Sequence, residues 1–520
     1  MSEEEELETI GDTLAHQARV RPDQEALKVG DRRVTWRELD AGANRVANML
    51  LGLGARHGDR VLMMLGNSIP FVEIYYGLAK IGCISAPVMP RSVVSEVEFI
   101  ANRLGCRFAF AEADSAPIVA EVAAKVPTIE AMIGIGAGHG LGHDYDVLKA
   151  AAAAAEPGID VSPDDGLTTK FTSGTTGLPK GCLRSHRNFI MAAATLLMEI
   201  PLHDADCAII ANPLAAGMAI SQLTMFILKG VRIVMEERFE PAEYLSIVDR
   251  ERPTLLYMMD TMMRRCFPLP QFETTDFSSV RLYHGAASRE VIDRLRGRPS
   301  FKAGFSFGYA SSEAGGLVSF LLPEHYRRAL DEPETYGYLL ATAGKEGPLS
   351  RIECLDDNLR PVPQGEIGEL AVSGPTLFKG YWQQPEETAK VLRQGWLLTG
   401  DLAMKDREGF IHIRGRKRDM IKSGGINVYP AEIEPVLMSH AKVAEAAVVG
   451  VPDDEWGERV VAFVVAREPV TEAELIDFCR DKLAGYKRPK QILFLDTMPM
   501  RAGKVVKREL VRLVTGDHGS

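Results

Sequence analysis

Residues 172–181 are the part of this chain whose composition is best suited to chemistry. In order they are Thr172, Ser173, Gly174, Thr175, Thr176, Gly177, Leu178, Pro179, Lys180 and Gly181. The glycines let backbone N–H groups approach phosphate oxygens, the hydroxyls add donors, and Lys180 adds a compact positive charge. The spacing differs from that of a P-loop, because Gly181 stands where that motif requires a hydroxyl. The stretch therefore predicts a loop that binds polyphosphate.

Four further motifs follow this loop in order along the chain. They are residues 307–313 (Phe-Gly-Tyr-Ala-Ser-Ser-Glu), 395–401 (Gly-Trp-Leu-Leu-Thr-Gly-Asp), 415–422 (Gly-Arg-Lys-Arg-Asp-Met-Ile-Lys) and the dipeptide Gly503-Lys504. With the loop, they resemble the motifs of the acyl-adenylate-forming superfamily of acyl-CoA ligases, luciferases and peptide-synthetase adenylation domains. The resemblance extends from about Thr13 to about Leu510, and the chain looks most like the free-standing acid–CoA ligases.

The resemblance implies ATP- and Mg²⁺-dependent activation of a carboxylic acid as acyl-AMP. It places the phosphates on Thr172, Ser173, Gly174, Thr175, Thr176, Gly177 and Lys180. Glu313 matches the magnesium ligand, and a carboxylate combined with phosphate oxygens is the ligand set that magnesium prefers. Tyr309 matches the aromatic residue that stacks on adenine, and Ser312 belongs to the same nucleotide-binding segment. Asp401 and Arg416 match the residues that hold the ribose, where one carboxylate can accept two hydroxyl donors.

The resemblance also implies which residues serve catalysis and which serve motion. Lys504 matches the catalytic lysine that bridges the substrate carboxylate and the α-phosphate, where an ammonium stabilises developing charge without proton transfer. Lys180 and Glu313 complete the predicted catalytic set. Arg418 matches the hinge about which the C-terminal domain turns, and Gly425 matches the loop then presented to the acceptor. Because this set is intact, a degenerate binding or scaffold protein is disfavoured.

The chain departs from acyl-CoA ligases after Pro213-Leu214. Those enzymes usually have an aromatic residue and then histidine there, whereas this chain has Ala215 and Ala216. Two alanines widen the local space, which favours a bulky, cyclic or aromatic acid. The predicted acid pocket contains Ala215, Ala216, Met258, His284, Gly285, Ala310 and Gly315. CoA is the expected acceptor, but the missing histidine leaves open an amide synthetase that uses an amine such as an amino acid, and a carrier protein acting in trans also stays open.

Hydrophobic periodicity predicts the elements that must position these residues. Helical spacing at residues 36–53 and 71–81 alternates with apolar strands at 61–65 and 109–111, and the same alternation continues at 208–258. Short alternating segments from Pro348 onward predict antiparallel strands in a small barrel. We therefore expect an α/β fold. The N-terminal acid- and ATP-binding domain, residues 1–415, has two αβ-layered subdomains plus the barrel, and a mobile α+β domain, residues 416–520, carries Lys504.

Composition excludes several other classes of protein. The 520 residues carry a formal net charge of −11, which argues against nucleic-acid binding, and no apolar run is long enough to span a bilayer. Seven scattered cysteines lack metal-ligand spacing, which favours reduced thiols, and the acidic N-terminus is unlike a signal peptide. We therefore expect a cytoplasmic enzyme whose partners are small molecules: a carboxylic acid, ATP, and CoA or an amine.

Overall fold

The computed structural model describes residues 7–172, 179–501 and 504–515. Its contacts divide the chain into two compact units. The first unit contains Met1–Ile352 and Val372–Leu397, and the second contains Glu353–Ala371 and Leu398–Ser520.

An eight-stranded sheet forms one layer of the first unit. In spatial order its strands are Gly380–Tyr381, Lys180–Ser185, Gly166–Thr172, Ile84–Val88, Arg60–Met64, Phe108–Glu112, Ala131–Ile135 and His143–Asp144. Neighbouring strands are parallel from Gly166–Thr172 onward and antiparallel before it. The helices that connect them are Trp36–Gly52, Ile69–Lys80, Val94–Leu104, Ala116–Lys125 and Tyr145–Ala151.

A seven-stranded sheet forms the second layer of this unit. Its spatial order is Gly304–Ser306, Leu282–His284, Leu255–Tyr257, Cys207–Ile210, Arg232–Met235, Glu25–Val29 and Arg32–Thr35. All neighbours are parallel except the last pair. The remaining helices of the unit are Ile10–Val20, His186–Glu199, Met218–Lys229, Pro241–Glu251, Asp260–Cys266, Pro270–Thr274, Arg289–Arg296, Pro323–Asp331, Pro333–Tyr336 and Pro385–Val391.

One hydrophobic core joins the two layers. It contains Val61 and Met63 from the eight-stranded sheet and Ala208 and Ile210 from the seven-stranded sheet. The helix Ile69–Lys80 lies in the same core and is buried on nearly every face. Strands buried on both faces read as continuous apolar runs rather than alternating ones, which explains the pattern of the sequence.

Short strands follow the two layers. Two hairpins pair Ala310–Ser311 with Gly316–Leu317 and Ser319–Phe320 with Lys345–Glu346. A five-stranded sheet then contains Arg351–Leu355, Gly368–Ser373, Leu392–Arg393, Trp396–Lys405 and Ile411–Arg416. This sheet is the predicted barrel-like element.

The C-terminal part of the second unit is a small α+β assembly. Its sheet contains Ile421–Ser423, Ile426–Val428, Val443–Asp453, Gly457–Ala466 and Gln491–Phe494. The helices are Pro430–Met438, Glu472–Phe478 and Lys507–Thr515. Separate apolar clusters contain Val460 and Val461, consecutive residues of one strand whose side chains point to opposite faces of the sheet.

The predicted fold class is confirmed, and most predicted elements lie within two residues of their observed bounds. The helices predicted at residues 36–53 and 71–81 are observed as Trp36–Gly52 and Ile69–Lys80. None of the described helices is long and apolar enough to cross a membrane. All seven cysteines are buried and unpaired. The predicted domain boundary at residues 415/416 stays a prediction.

Candidate active site

Two antiparallel strands carry the ends of the predicted phosphate loop. Gly166–Thr172 pairs with Lys180–Ser185, and Thr172 lies opposite Lys180 in the register. Of the loop residues predicted to bind phosphate, Ser173, Gly174, Thr175, Thr176 and Gly177 lie outside the described residues. The hairpin therefore fixes where the loop begins and ends, and the roles of these five residues stay predictions.

The side chain of Lys180 is held by two residues from a distant segment. Its Nζ lies 2.6 Å from a carboxylate oxygen of Glu387 and 5.0 Å from the ring centroid of Tyr381. The ammonium of Lys180, helped by Lys390, lowers the pKa of Glu387 to about 2, so this carboxylate is ionised at neutral pH. Sequence reasoning missed both partners, because they lie about two hundred residues from Lys180 and carry no local signal.

Tyr381 also connects Lys180 to Glu313. The strand Gly380–Tyr381 pairs with Lys180–Ser185, which places Tyr381 opposite Cys182. Its hydroxyl donates a hydrogen bond of 2.9 Å to Oε1 of Glu313. Burial, followed by the negative charge of Glu313, raises the pKa of Tyr381 well above its usual value, so the phenol keeps its proton and remains a donor. The structure thus brings the predicted phosphate lysine and the predicted magnesium ligand to the same tyrosine.

The donor set around Glu313 fits a magnesium ion that is held mainly by a nucleotide. Among the described residues, no group of three or more His, Cys, Asp or Glu side chains could hold a metal ion. A half-buried single carboxylate is what such a site requires, since magnesium keeps several waters and binds one or two carboxylates together with substrate phosphates. Magnesium bound there would neutralise phosphate charge, with Glu313 as its protein ligand.

The segment before Glu313 is held by backbone contacts. The backbone N–H of Tyr309 donates to Ser319 Oγ at 3.0 Å, and Ala310 pairs with Leu317. The carbonyl of Ser312 accepts a hydrogen bond from the thiol of Cys182 at 3.3 Å. Gly315 has a φ of +84°, and a Cβ there would lie 1.8 Å from the carbonyl oxygen of Thr376. Only glycine fits this position, so the turn after Glu313 is fixed by backbone packing.

The predicted acid-pocket residues follow parallel strands of the seven-stranded sheet. Met258, His284 and the turn at Ala215 come at or just after the carboxyl ends of three neighbouring strands. Ligands of open α/β sheets bind outside this edge. The structure thus places these residues at one edge of the sheet, and their role in binding the acid stays a prediction.

The turn that contains Ala215 and Ala216 is anchored by Asn67, which follows the strand Arg60–Met64 of the eight-stranded sheet. Leu214 to Ala216 form a single 3₁₀ turn, and the backbone N–H of Leu214 donates to Oδ1 of Asn67 at 2.8 Å. Asn67 also donates to the carbonyl of Asn212 at 3.0 Å. Ala215 is buried and Ala216 is half-buried, so the turn is rigid and presents small side chains.

His284 and Gly285 form the base of the same edge. His284 is buried and stacks on Tyr257 with ring centroids 5.9 Å apart. Burial lowers its pKa to about 4, so the imidazole is neutral at pH 7. A Cβ on Gly285 would lie 1.9 Å from the carbonyl oxygen of Met258, which is itself fully buried. His284 therefore contributes an uncharged ring, and Gly285 allows the two strands to approach each other.

The second unit pairs the two predicted ribose ligands with each other. Asp401 lies opposite Arg416 in the hairpin of Trp396–Lys405 and Ile411–Arg416. Nε of Arg416 is 3.0 Å from Oδ1 of Asp401, and Nη1 of Arg416 donates to the carbonyl of Thr399 at 3.0 Å. Asp401 is 6% exposed. The arginine is thus fixed beside the carboxylate, and the role of both residues in binding the ribose stays a prediction.

The other predicted residues of the second unit lie on connections. Arg418 lies in the 3₁₀ turn Lys417–Asp419 directly after a strand, which is where a hinge can absorb a dihedral change. Gly425, with a φ of +77°, lies in an exposed turn with open space around its Cα. Lys504 begins the short strand Lys504–Val505, which pairs with Met500–Arg501. The roles of these three residues stay predictions.

Comparison with known proteins identifies the family. Residues 14–382 match the family described as AMP-binding enzyme, and residues 432–504 match the AMP-binding enzyme C-terminal domain. A long-chain-fatty-acid–CoA ligase of Mycobacterium tuberculosis is 32% identical over 513 residues, which cover 97% of this chain and 98% of the relative. A feruloyl-CoA synthase of Amycolatopsis sp is 32% identical over 507 residues, with coverages of 97% and 98%.

A solved structure agrees with these matches. An anthranilate–CoA ligase in complex with anthranoyl-AMP has a TM-score of 0.85 to this chain at 26% identity, and the match covers 98% of each chain. The chain therefore belongs to the AMP-binding family of adenylate-forming enzymes and is of the acid–CoA ligase type.

Proposed function

We propose that this enzyme activates a bulky, cyclic or aromatic carboxylic acid with ATP and Mg²⁺ and transfers the acyl group to CoA. In the first step a carboxylate oxygen attacks the α-phosphorus of ATP, which forms acyl-AMP and releases pyrophosphate. In the second step the CoA thiol attacks the acyl carbon, which releases AMP and a proton. The observation that carries the proposal is that Lys180 and Glu313 both contact Tyr381. Lys180 is the predicted phosphate-binding lysine, and Glu313 is the predicted magnesium ligand.

The residues of the chain have separate tasks in the first step. Lys180 at the end of the loop hairpin attracts the β- and γ-phosphates, and Glu313 supplies the protein ligand for Mg²⁺. Lys504 stabilises the charge that develops between the carboxylate and the α-phosphate. Positioning and charge neutralisation, rather than proton transfer, supply the rate enhancement.

Small side chains at the pocket edge support the acid class. Ala215 and Ala216 leave room at the carboxyl edge of the sheet, and neutral His284 adds no charge there. Two similar proteins are named for ring acids, ferulate and anthranilate, whereas another is named for long-chain fatty acids. A panel of aromatic, alicyclic and fatty acids in the ATP–pyrophosphate exchange assay tests both activation and acid class. If none of the acids in the panel supported exchange, the proposed activity would be rejected.

Replacement of Ala216 by phenylalanine is expected to discriminate against large acids. The added ring would overpack the carboxylate end of the pocket. Exchange activity on the best bulky acid should fall at least about tenfold, and activity on a short acid should fall less. Ala242→Phe, on an exposed helix position of the same unit, is the matched control. Equal losses on large and small acids would show that Ala216 does not line the acid site.

Replacement of Asp401 by alanine is expected to weaken ATP binding. The change removes the ribose acceptor and the partner of Arg416. The KM for ATP should rise roughly tenfold or more, while the KM for the acid changes little. Glu366→Ala removes an exposed carboxylate from the same unit and serves as the control. Unchanged ATP affinity in a calorimetric titration of Asp401→Ala would contradict the role.

The acceptor is tested in a competition assay. The Ala215-Ala216 turn lacks the histidine expected of CoA ligases, so an amine acceptor is a second candidate. CoA and a mixture of amino acids are offered together, and the products are identified by mass spectrometry. A dominant acyl-CoA supports the proposal, and an amide formed independently of CoA would replace it. We place the reaction in the cytoplasm, where ATP, CoA and reduced thiols are available, with no role for nucleic acid.

A further inference from the structure

Lys170 lies within the candidate active site, although no motif includes it. It is on the strand Gly166–Thr172, directly opposite Cys182 of Lys180–Ser185. Directly opposed residues of an antiparallel pair have their side chains on the same face. Since alternate residues of a strand also share a face, Lys170 lies on the face that carries Lys180 and Cys182.

The side chain of Lys170 runs along the turn that ends the alanine pair. A Cβ built on Gly217 would lie 2.7 Å from Cδ and 2.9 Å from Nζ of Lys170. Gly217 follows Ala216 directly and has a φ of +87°. A glycine here thus leaves room for the ammonium beside the small side chains at the pocket edge.

Cys182 connects Lys170 to the predicted magnesium ligand. The thiol of Cys182 donates to the carbonyl of Ser312, the residue before Glu313. Burial, followed by the charge of Glu313, raises the pKa of this thiol, and the charges of Arg184 and then Lys170 oppose the increase. Lys170 is therefore placed between the predicted metal ligand on one side and the alanine turn on the other.

The position of Lys170 differs in kind from that of Lys180. Lys180 is at the end of the phosphate loop, paired with Glu387 and lying over Tyr381. Lys170 is on the paired strand, and its Nζ lies next to Gly217, the residue after Ala216 of the predicted acid pocket. An ammonium offers three donors and a point charge, which suit a carboxylate.

We propose that Lys170 binds the carboxylate of the acid substrate and orients it for attack on ATP. This inference rests on the proposed function, because it assigns a binding residue to the same reaction. Lys170 holds the carboxylate of the acid, and Lys504 stabilises the charge that develops at the reacting atoms. The site thus selects an anionic carboxylate over neutral acid derivatives.

A Lys170→Met variant tests the proposal, because it keeps the length of the side chain and removes its charge. The KM for the acid is measured by ATP–pyrophosphate exchange, and the inhibition constant of the corresponding primary carboxamide is measured in the same assay. The carboxamide has nearly the same shape but no charge. The KM for the acid should rise roughly 10- to 100-fold, the size expected for loss of a charge-assisted hydrogen bond, while carboxamide inhibition and the KM for ATP stay unchanged.

Two further variants separate charge from structure. Lys170→Arg keeps the charge and should recover most of the acid affinity, and Lys302→Met removes an exposed lysine of the same unit and should change nothing. Parallel losses for acid and carboxamide, or an unchanged KM for the acid, would overturn the assignment. If Lys170→Met fails to fold, Lys170→Gln is used instead, and its KM for the acid is compared with its inhibition constant for the carboxamide in the same way. Absence of exchange in the wild-type enzyme would instead refute the proposed function.

Discussion

Replacement of Lys504 by alanine is expected to lower the rate of acyl-AMP formation roughly a hundredfold or more. The lost ammonium would interact with charge that develops mainly in the transition state, so kcat falls more than substrate binding. The measurement is single-turnover formation of acyl-AMP, followed by thioester formation from acyl-AMP prepared separately. The second reaction should be affected less, because the acyl group is already activated.

The structure indicates that this variant will fold. The helix Lys507–Thr515 that follows is held by Lys507, whose Nζ lies 2.7 Å from Glu434 and 3.1 Å from the carbonyl of Val448, and by the buried Leu510. Arg508→Ala removes an exposed charge from the same segment and is the matched control. Near-normal acyl-AMP formation by Lys504→Ala would remove Lys504 from the catalytic set.

Replacement of Glu313 by glutamine is expected to have the second largest effect, a loss of roughly a hundredfold in adenylation at fixed Mg²⁺. Glutamine keeps the shape and can still accept from Tyr381, but it removes the negative charge that favours a hard cation. The Mg²⁺ concentration needed for half-maximal activity should rise. Both quantities are read from exchange rates in a magnesium titration.

The variant Tyr381→Phe distinguishes the role of the Glu313 carboxylate from the role of the hydroxyl that donates to it. It removes only the hydroxyl that bonds to Glu313. The net value of a hydrogen bond to a charged group, about 1.5 to 3 kcal/mol, predicts a loss of about 10- to 150-fold without a change in magnesium dependence. If Glu313→Gln lost as much activity as Tyr381→Phe and kept the same magnesium dependence, the carboxylate would serve only to position the tyrosine. An unaltered magnesium requirement would exclude Glu313 as the metal ligand.

Elements with strong local periodicity could be predicted from the sequence, and those defined by packing could not. The helix Trp36–Gly52 and the strand Arg60–Met64 match their predicted spans closely because burial imposes a regular pattern on them. The helix Ile10–Val20 was missed, although a signal is present: Thr9 and Asp12 form a capping box at its start. Reading that pair would have extended the prediction toward the N-terminus.

The candidate site divides in the same way. Lys180, Glu313, Asp401 and Arg416 stand in contiguous motifs, so their residue types were sufficient to select them. Tyr381 and Glu387 stand in no motif and come from a segment about two hundred residues away, through strand pairing for Tyr381 and an ion pair with Lys180 for Glu387. Lys170 also stands in no motif, and the hairpin that carries the phosphate loop places it at the site. Their contribution depends on register, which a single sequence does not specify at this range.

Gly285 and Gly315 have a consequence for the evolution and engineering of acid range. At each position any Cβ would collide with a backbone carbonyl, that of Met258 or Thr376, and a backbone cannot move aside as a side chain can. Substitution of either glycine by a residue with a Cβ is therefore expected to distort the backbone. Among the predicted pocket residues, Ala215 and Ala216 offer small side chains that can be enlarged, so a saturation library at that turn would test for new acid preferences without changing either glycine.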